Sequence, residues 1–318
     1  MGAKLSRGAG RGNVTIDGTS NVAIVGTPTV TFGTVSMPSI TVASMPIITS
    51  YTGWLSATGT NVFENAGGHP MVCNQEYGYA IAEGDIAGHT GWGILGTNSG
   101  IGTVDETLWD YSSAYVFPTT TGQMEISSTS PDDSSSGIGV QSVTAVYLKS
   151  DYTQSSCTFT TNGTNWVASG GSHADMWRIN AFVAMTAGTS KKAVGNIILR
   201  QVVGTTVHGY IVAGKTQARQ AFYTVPSGKT VYITGASLGC AGTKYIVFTV
   251  RSNSNPLTST VTDRGIFYPG LDIALLNSNL TTVLPIPRVV RSTVDLKVEA
   301  IAEAAGSYGT CSLSGWIE

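Results

Sequence analysis

The sequence NVTIDGTSNVAIVGTPTVTFGTVSMPSITVASMPIIT, residues 13–49, contains short apolar doublets that recur along the chain. Successive doublets begin eight, eight and ten residues apart, and the two members of each are separated by one residue. Because side chains alternate across an extended strand, both members of a doublet leave the same face. Glycine-containing turn segments separate the doublets. The doublets are Val14 and Ile16, Val22 and Ile24, Val30 and Phe32, and Ile40 and Val42.

Strands this short cannot bury one apolar face alone, so the repeat requires neighbours. Those neighbours are either further repeats of the same chain or the same repeat from other chains. The stretch is not followed by more repeats, which favours other chains. We therefore predict an intertwined, three-fold β-stalk over residues 13–50, with the eight doublet residues as its subunit interface. The alternative is an ordinary N-terminal β-meander that packs on its own domain.

The composition indicates an all-β protein with substantial cores. Charged residues make up 11% of the 318 residues, whereas globular domains contain about 25%. Hydrophobic residues make up 42%, and 39 residues are glycine. A chain that is polar through hydroxyls and glycines is typical of many short strands joined by turns. The predicted fold class is all-β, with an extended N-terminal β-repeat stalk followed by two β-sandwich domains that are jelly-roll-like.

The charge distribution bears on the partners of the protein. A net charge of -2 argues against nucleic acid as a partner. Lys4, Arg7 and Arg11 precede the first acidic residue, Asp17. We predict that residues 1–12 form a flexible basic arm that docks on an acidic surface, and a disordered basic terminus without a role is the alternative. We expect no membrane insertion, since no run of about 18 apolar residues occurs.

The absence of an apolar secretory signal predicts synthesis in a cytoplasm. The four cysteines show no paired spacing, so we expect reduced, mostly buried thiols.

Two β-rich domains are predicted after the stalk, over residues 51–203 and 207–318. In the first, Val140 to Leu148 alternates strongly, and Asn162-Gly163 predicts a hairpin turn. Residues 84–118 are typical of long loops that carry aromatic anchors. The strands predicted in the second domain are Gln220 to Val225, Thr230 to Ile233, Lys244 to Arg251, Thr282 to Ile286, Val294 to Ile301 and Thr310 to Ile317.

Motifs that could support catalysis or metal binding are incomplete. Ser237 lies in a G-x-S-x-G pattern, but neither a helix nor a histidine follows it, as a hydrolase requires. His69 and Cys73 lack the further ligands of a structural zinc site. Asp132 and Asp133 have the oxygens of a calcium site, but adjacent residues of an extended chain point to opposite sides. We predict no catalytic, cofactor or metal site, and no enzymatic activity.

Exposed tryptophans are candidates for contacts with sugar rings. Trp92, which lies between two glycines, is predicted to be exposed and to make such a contact. A tryptophan in a β-domain more often lies in a core or a subunit interface.

From about residue 80 onward the chain resembles structural proteins of tailed bacteriophages, especially those of aquatic viruses. The resemblance covers roughly two thirds of the chain and rests on an ordered series of stretches. They are Glu106-Thr107-Leu108-Trp109-Asp110, Tyr115-Val116-Phe117-Pro118, Glu125 to Asp133, Thr158 to Thr164, Gly195 to Ile198, Tyr223 to Thr230 and Leu284-Pro285-Ile286-Pro287. The resemblance implies a virion component that is made in the host cytoplasm. It supplies no catalytic residue and does not fix a position on the particle.

These observations together predict a non-enzymatic virion protein, a homotrimeric fibre or spike anchored by its N-terminus. Its expected partners are its own copies, other virion proteins of the capsid, neck or tail, and a host-surface glycan. One alternative is a capsid decoration or cement protein, or a neck or tail connector. A second alternative, from a different class, is a carbohydrate-binding protein.

Overall fold

The computed structural model describes residues 77–111, 113–261 and 264–318. The predicted basic arm and β-stalk lie outside these residues. Cys73–Glu318 forms one compact unit, which contains all of the described residues. These residues form sixteen strands, one short α-helix and one 3-10 turn, which confirms the all-β fold class. No helix among them is long and apolar enough to cross a membrane.

The elements follow one another with short connections in most places. In chain order they are α1 (Tyr77–Glu83), β1 (Thr90–Ile101), β2 (Glu106–Thr107), β3 (Met124–Ser128), β4 (Val140–Leu148), β5 (Gln154–Thr160), β6 (Val167–Ala168), the 3-10 turn (Gly171–His173), β7 (Arg178–Ala187), β8 (Ile197–Gln201), β9 (Val207–Ile211), β10 (Phe222–Thr224), β11 (Val231–Ala241), β12 (Tyr245–Ser252), β13 (Tyr268–Leu276), β14 (Asn279–Val290), β15 (Asp295–Ala302) and β16 (Ser307–Ile317).

Two antiparallel sheets form a jelly roll. One has the order β1-β16-β11-β14 and the other the order β10-β15-β12-β13, with β2 also paired to β15. The first and last strands of the set are therefore neighbours, as the two nested Greek keys of a jelly roll require. In β15, Leu296, Val298, Ala300 and Ala302 alternate into the common core, so the predicted strand after Val294 is confirmed.

A second sandwich is inserted into the jelly roll between β2 and β10. Its sheets have the orders β6-β3-β8-β9 and β5-β4-β7, and they enclose a separate core that includes Ile126, Val143 and Phe159. β2 and β10 both pair with β15, so the chain leaves and re-enters the jelly roll along one strand. The strands are thus grouped differently from the two predicted domains: β1 and β2 belong to the jelly roll, and β9 belongs to the inserted sandwich.

Several local predictions can be compared with the structure. β4 spans the predicted run Val140–Leu148. Gly163 has a φ of 61°, as a turn after Asn162 requires, but the turn leads from β5 in one sheet towards β6 in the other and forms no hairpin. The prediction of loops over residues 84–118 is wrong for β1, a strand of 12 residues. Its alternation is obscured because Gly96 and Asn98 occupy buried positions.

Asp133 joins two loops at one end of the inserted sandwich. Its carboxylate is fully buried and accepts hydrogen bonds from the Ser128 hydroxyl at 2.6 Å and the Val140 backbone N–H at 2.8 Å. The backbone N–H groups of Val194 and Gly195 donate to it at 3.0 and 2.8 Å. Both oxygens therefore already bind protein donors, so Asp133 holds the loops together and is not arranged as a cation ligand.

Candidate interaction surfaces

A buried ion pair fastens the two sandwiches to each other. Arg178 of β7 approaches Asp295 of β15 through Nε and Oδ1 at 3.1 Å and through Nη2 and Oδ2 at 3.2 Å. The two side chains are 3% and 0% exposed. Thr224 and Asn253 donate further hydrogen bonds to Asp295 at 2.6 and 3.0 Å, and Arg178 also donates to the Pro118 carbonyl. A buried carboxylate of this kind is tolerated because its charge is paired and its oxygens are hydrogen-bonded.

An aromatic cluster completes the contact between the sandwiches. Tyr115 stacks on Phe222 with ring centroids 3.5 Å apart, and Trp109 meets both rings at 5.1 and 5.8 Å with steeply inclined planes. Val207 of the inserted sandwich packs into the same cluster. Rings of this size dominate the burial of apolar surface at an interface. The ion pair and the cluster together define the junction of the two sandwiches.

The edge strand β14 carries an exposed apolar bulge. In the pairing of β14 with β11, Arg288 lies opposite Ile233 and Val283 lies opposite Gly235. The four residues 284–287 therefore lie opposite the single residue Thr234. Val283 and Ile286 are 77% and 81% exposed. No residue of this segment, Val-Leu-Pro-Ile-Pro, carries a charge. We refer to residues 283–287 as the β14 bulge.

The two prolines of the β14 bulge determine how it can contact a partner. Pro285 and Pro287 have no backbone N–H, so they cannot donate to a further strand at this edge. Proline at a sheet edge is a common protection against unwanted strand pairing. A partner would therefore contact the β14 bulge through apolar side chains such as Val283 and Ile286.

Trp92 is half-buried and is not the exposed platform that its flanking glycines predicted. Its ring packs against the jelly-roll core and meets Tyr223 edge-on at 5.4 Å. Burial raises the pKa of Tyr223 to about 12. The more exposed tryptophan is Trp166, but the Arg200 guanidinium lies 3.5 Å from the centre of its ring. Nothing in the sequence near Trp166 indicates this cover, because Arg200 comes from β8.

The stalk residues Val14, Ile16, Val22, Ile24, Val30, Phe32, Ile40 and Val42 lie outside the described residues. The arm residues Lys4, Arg7 and Arg11 also lie outside them. The subunit interface and the docking arm therefore stay predictions.

The serine of the hydrolase-like motif lies inside a paired strand. Ser237 lies within β11, paired on one side with Ser312 and on the other with Thr281, so it is not on the strand-to-helix turn of a hydrolase. Two carboxylates in the β1–β2 region also have partners: Glu106 accepts a hydrogen bond from Asn98 at 3.0 Å, and Asp105 pairs with Arg251 at 2.9 Å. Among the residues that the structure describes, no three His, Cys, Asp or Glu side chains form a group that could hold a metal ion.

Three cysteines lie in the described part of the chain. Cys157, Cys240 and Cys311 are free and buried, as predicted, whereas Cys73 falls outside the described residues. Burial raises the pKa of the Cys311 thiol to about 12. Since the thiolate is the reactive form, such a thiol is chemically inert at neutral pH.

Comparisons with known proteins add little to this description. No family model matches the chain, and no curated protein matches it. A crystal structure of the infectious bursal disease virus VP2 subviral particle aligns at 11% identity and a TM-score of 0.19, over 72% of this chain and 71% of that chain. A structure of the Gx strain of the same virus aligns at 11% identity and a TM-score of 0.19, with 72% and 70% covered. The jelly-roll assignment therefore rests on the strand order of this chain.

Proposed function

We propose that this protein is a non-enzymatic structural component of a virus particle, a homotrimeric fibre or spike that is anchored by its N-terminus. The observation that carries the proposal is the β14 bulge, an uncharged apolar surface on an edge strand. Jelly rolls occur widely in viral capsid and lectin domains. The resemblance of the sequence to structural proteins of tailed bacteriophages supports the same setting.

The partner that we propose for the β14 bulge is another copy of the chain. Val283 and Ile286 carry no charge, so identical copies would meet without electrostatic repulsion. Burying an aliphatic side chain of this size contributes about 1.5–3 kcal/mol. Such a patch is small for a stable interface between separate proteins. The predicted stalk would hold the copies close together, and a high effective concentration makes a small contact sufficient.

The buried contacts at the junction support a role in which the two sandwiches together form a head that extends from a particle. Arg178 and Asp295 are paired away from water, and the aromatic cluster is buried beside them. A head that projects from a particle gains from such a connection, because its two parts keep one orientation. The basic arm, Lys4, Arg7 and Arg11, would attach the assembly to another virion protein.

Light scattering on purified protein tests the proposal. We expect a trimer for the full chain, and a weakened trimer both for a chain that starts at Tyr51 and for Ile286→Asp in the full chain. Ile138→Asp is the matched control, since Ile138 is an exposed isoleucine of the inserted sandwich. We expect this control to remain trimeric.

Other outcomes would contradict parts of the proposal. A trimer that withstands both the truncation and Ile286→Asp would place assembly elsewhere and favour a capsid decoration or connector role. A full chain that is monomeric would overturn the three-fold assembly altogether.

A further inference from the structure

The strand β5 is an outer strand of one sheet of the inserted sandwich. This sheet has the order β5-β4-β7, so β5 pairs with β4 on one side and with no strand of the described residues on the other. Its sequence, Gln-Ser-Ser-Cys-Thr-Phe-Thr, contains no charge and no proline. An outer strand of this kind presents a row of backbone groups with which another strand can pair. We refer to the open side of β5, residues 154–160, as the β5 edge.

The register of β5 on β4 determines which backbone groups point to the β5 edge. At one end of the ladder the Thr161 N–H donates to the Gln141 carbonyl, and at the other end the Lys149 N–H donates to the Thr153 carbonyl, both at 3.0 Å. In an antiparallel ladder, residues that bond to the partner strand alternate with residues whose backbone groups point away from it. From either end, the odd-numbered residues of β5 bond to β4. The residues that direct their N–H and C=O groups to the β5 edge are therefore Gln154, Ser156, Thr158 and Thr160.

The burial of β5 agrees with an open edge. The four even-numbered residues are exposed, whereas Cys157 and Phe159 are 3% and 2% exposed and pack into the core of the inserted sandwich. Among the residues described, no hydrogen bond reaches the outward backbone groups from another part of the chain. Since each residue has one donor and one acceptor, the β5 edge offers eight groups to solvent or to a partner.

Three other outer strands of the molecule are protected against pairing. β14 contains Pro285 and Pro287, and β13 contains Pro269 and Asp272. Residues 216–218 cover the outer side of β7 through backbone hydrogen bonds. Proline, charge and a covering segment are common means by which proteins prevent unwanted pairing at an edge. Within the described part of the chain, the β5 edge has none of these protections, which indicates that it is available to a partner.

We propose that the β5 edge pairs antiparallel with the β5 edge of a second copy of the chain. In the symmetric register, Cys157 lies opposite its own copy. Ser156 then lies opposite Thr158, and Gln154 lies opposite Thr160. All eight outward groups of each copy bond to the other copy, and the two three-stranded sheets become one continuous sheet. A two-fold axis relates the copies, so each contact occurs twice.

The side chains of β5 suit a second copy of the same strand. Neither copy has a charge here, so no like charges meet across the pair, and a charged partner segment would find no counter-charge in β5. Ser156 and Thr158 bring hydroxyl groups side by side, and such pairs stabilise neighbouring antiparallel strands. Identical strands also have identical lengths, so no backbone donor or acceptor stays unpaired at either end.

This contact goes beyond the proposed trimer and does not depend on it. A two-fold contact cannot close a three-fold assembly, so the β5 edge joins neighbouring assemblies and not the copies within one. If the stalk makes trimers, paired heads connect one spike to the next. If the stalk makes none, the same edge makes dimers.

Light scattering of the full chain over a range of concentrations tests the inference. We expect a reversible doubling of the mass of the basic assembly as the concentration increases. Ser156→Lys combined with Thr158→Lys places lysines opposite each other, and it should raise the dissociation constant of the doubled species at least about tenfold. Ser156→Asp combined with Thr158→Asp should do the same. An equal mixture of the two variants should restore the doubling, because each lysine then lies opposite an aspartate.

Two further variants make the test specific for the β5 edge. Ser156→Pro removes a backbone donor that points outward and none that bonds to β4, so circular dichroism should show a normal fold while the doubling weakens several-fold. Met185→Lys combined with Thr186→Lys adds the same charge to exposed positions of β7, the opposite strand of the same sheet. This control should leave the doubling unchanged.

The inference is overturned if the full chain shows no doubling up to its highest soluble concentration. It is also overturned if the doubling withstands both the lysine pair and Ser156→Pro, or if mixing the oppositely charged variants restores nothing. The stalk truncation and Ile286→Asp act on the mass of the basic assembly, whereas the β5 variants act on its doubling. Failure of this inference is therefore distinguishable from failure of the trimer.

Discussion

At the junction and at the β14 bulge, side chains extend beyond a sandwich core. The two regions differ in whether these side chains find partners within the same chain. At the junction, Asp295 has an arginine partner and further donors, all away from water. At the β14 bulge, Val283 and Ile286 stay in solvent. The ion pair of the junction is therefore satisfied within one chain, whereas the side chains of the β14 bulge can be buried only by a contact with another molecule.

Removing the carboxylate of the junction should have the largest effect. Asp295→Ala leaves Arg178 as an unpaired buried charge, which typically costs about 3–5 kcal/mol of unfolding free energy. Urea unfolding followed by circular dichroism measures the loss. Glu303→Ala is the control, because the Lys244–Glu303 pair, 3.7 Å apart, is about half exposed on both sides. An exposed pair contributes at most about 1 kcal/mol.

A double variant sharpens this comparison. Arg178→Met combined with Asp295→Leu removes both charges and leaves apolar groups, so it should recover much of the stability that Asp295→Ala loses. If Asp295→Ala costs no more than Glu303→Ala, the ion pair does not hold the junction.

Lowering the pH should decrease the free energy of unfolding because His208 is buried in its neutral form. Its pKa in the folded protein is lowered to about 4, from 6.5. Between these values the unfolded chain binds more protons, so stability falls as pH falls from about 6.5 towards 4, by about 3 kcal/mol in total. Urea midpoints at pH 7, 5.5 and 4.5 measure the change. His208→Phe should show a shallower decline, and an unchanged pH dependence in this variant would contradict the prediction.

Substitutions in the β14 bulge should have the smallest effect on the folding of a single chain. Val283→Thr and Ile286→Thr should each change the unfolding free energy by less than about 0.5 kcal/mol, because both side chains are already in solvent. Unfolding is measured at a concentration where light scattering shows monomers, since assembly adds to apparent stability. A loss above about 1 kcal/mol would show that the bulge contributes to the core of its own chain.

The sequence was informative where burial follows a simple alternation. β4 and β15 were predicted because their apolar residues recur at every second position. β1 was missed because glycine and asparagine occupy buried positions in it. Trp92 was wrongly predicted to be exposed, because neighbouring glycines indicate backbone freedom and carry no information on burial. The insertion could not be inferred, since it depends on which distant strands pair.

The junction had a signal in the sequence that was not used. Arg178 and Asp295 are 117 residues apart, and Arg178 is the one charged residue of β7, whereas β15 contains Lys297 and Glu299 besides Asp295. A lone charge in such a position indicates a buried partner of opposite sign. The sequence offers no means of choosing that partner. The β14 bulge was also hidden, because Val-Leu-Pro-Ile-Pro is compatible with an ordinary edge strand.

The pairing of β1 with β16 has a consequence for biosynthesis. The hydrogen-bonding partner of β1 in its sheet is made roughly two hundred residues after β1 itself. At ~5–20 residues per second, β1 waits ~10–40 s for that partner. The inserted sandwich, whose strands all emerge in between, has time to fold first. The jelly-roll sheet of β1 can then close only after the inserted sandwich has been made, and β1 lacks its neighbouring strand until β16 emerges.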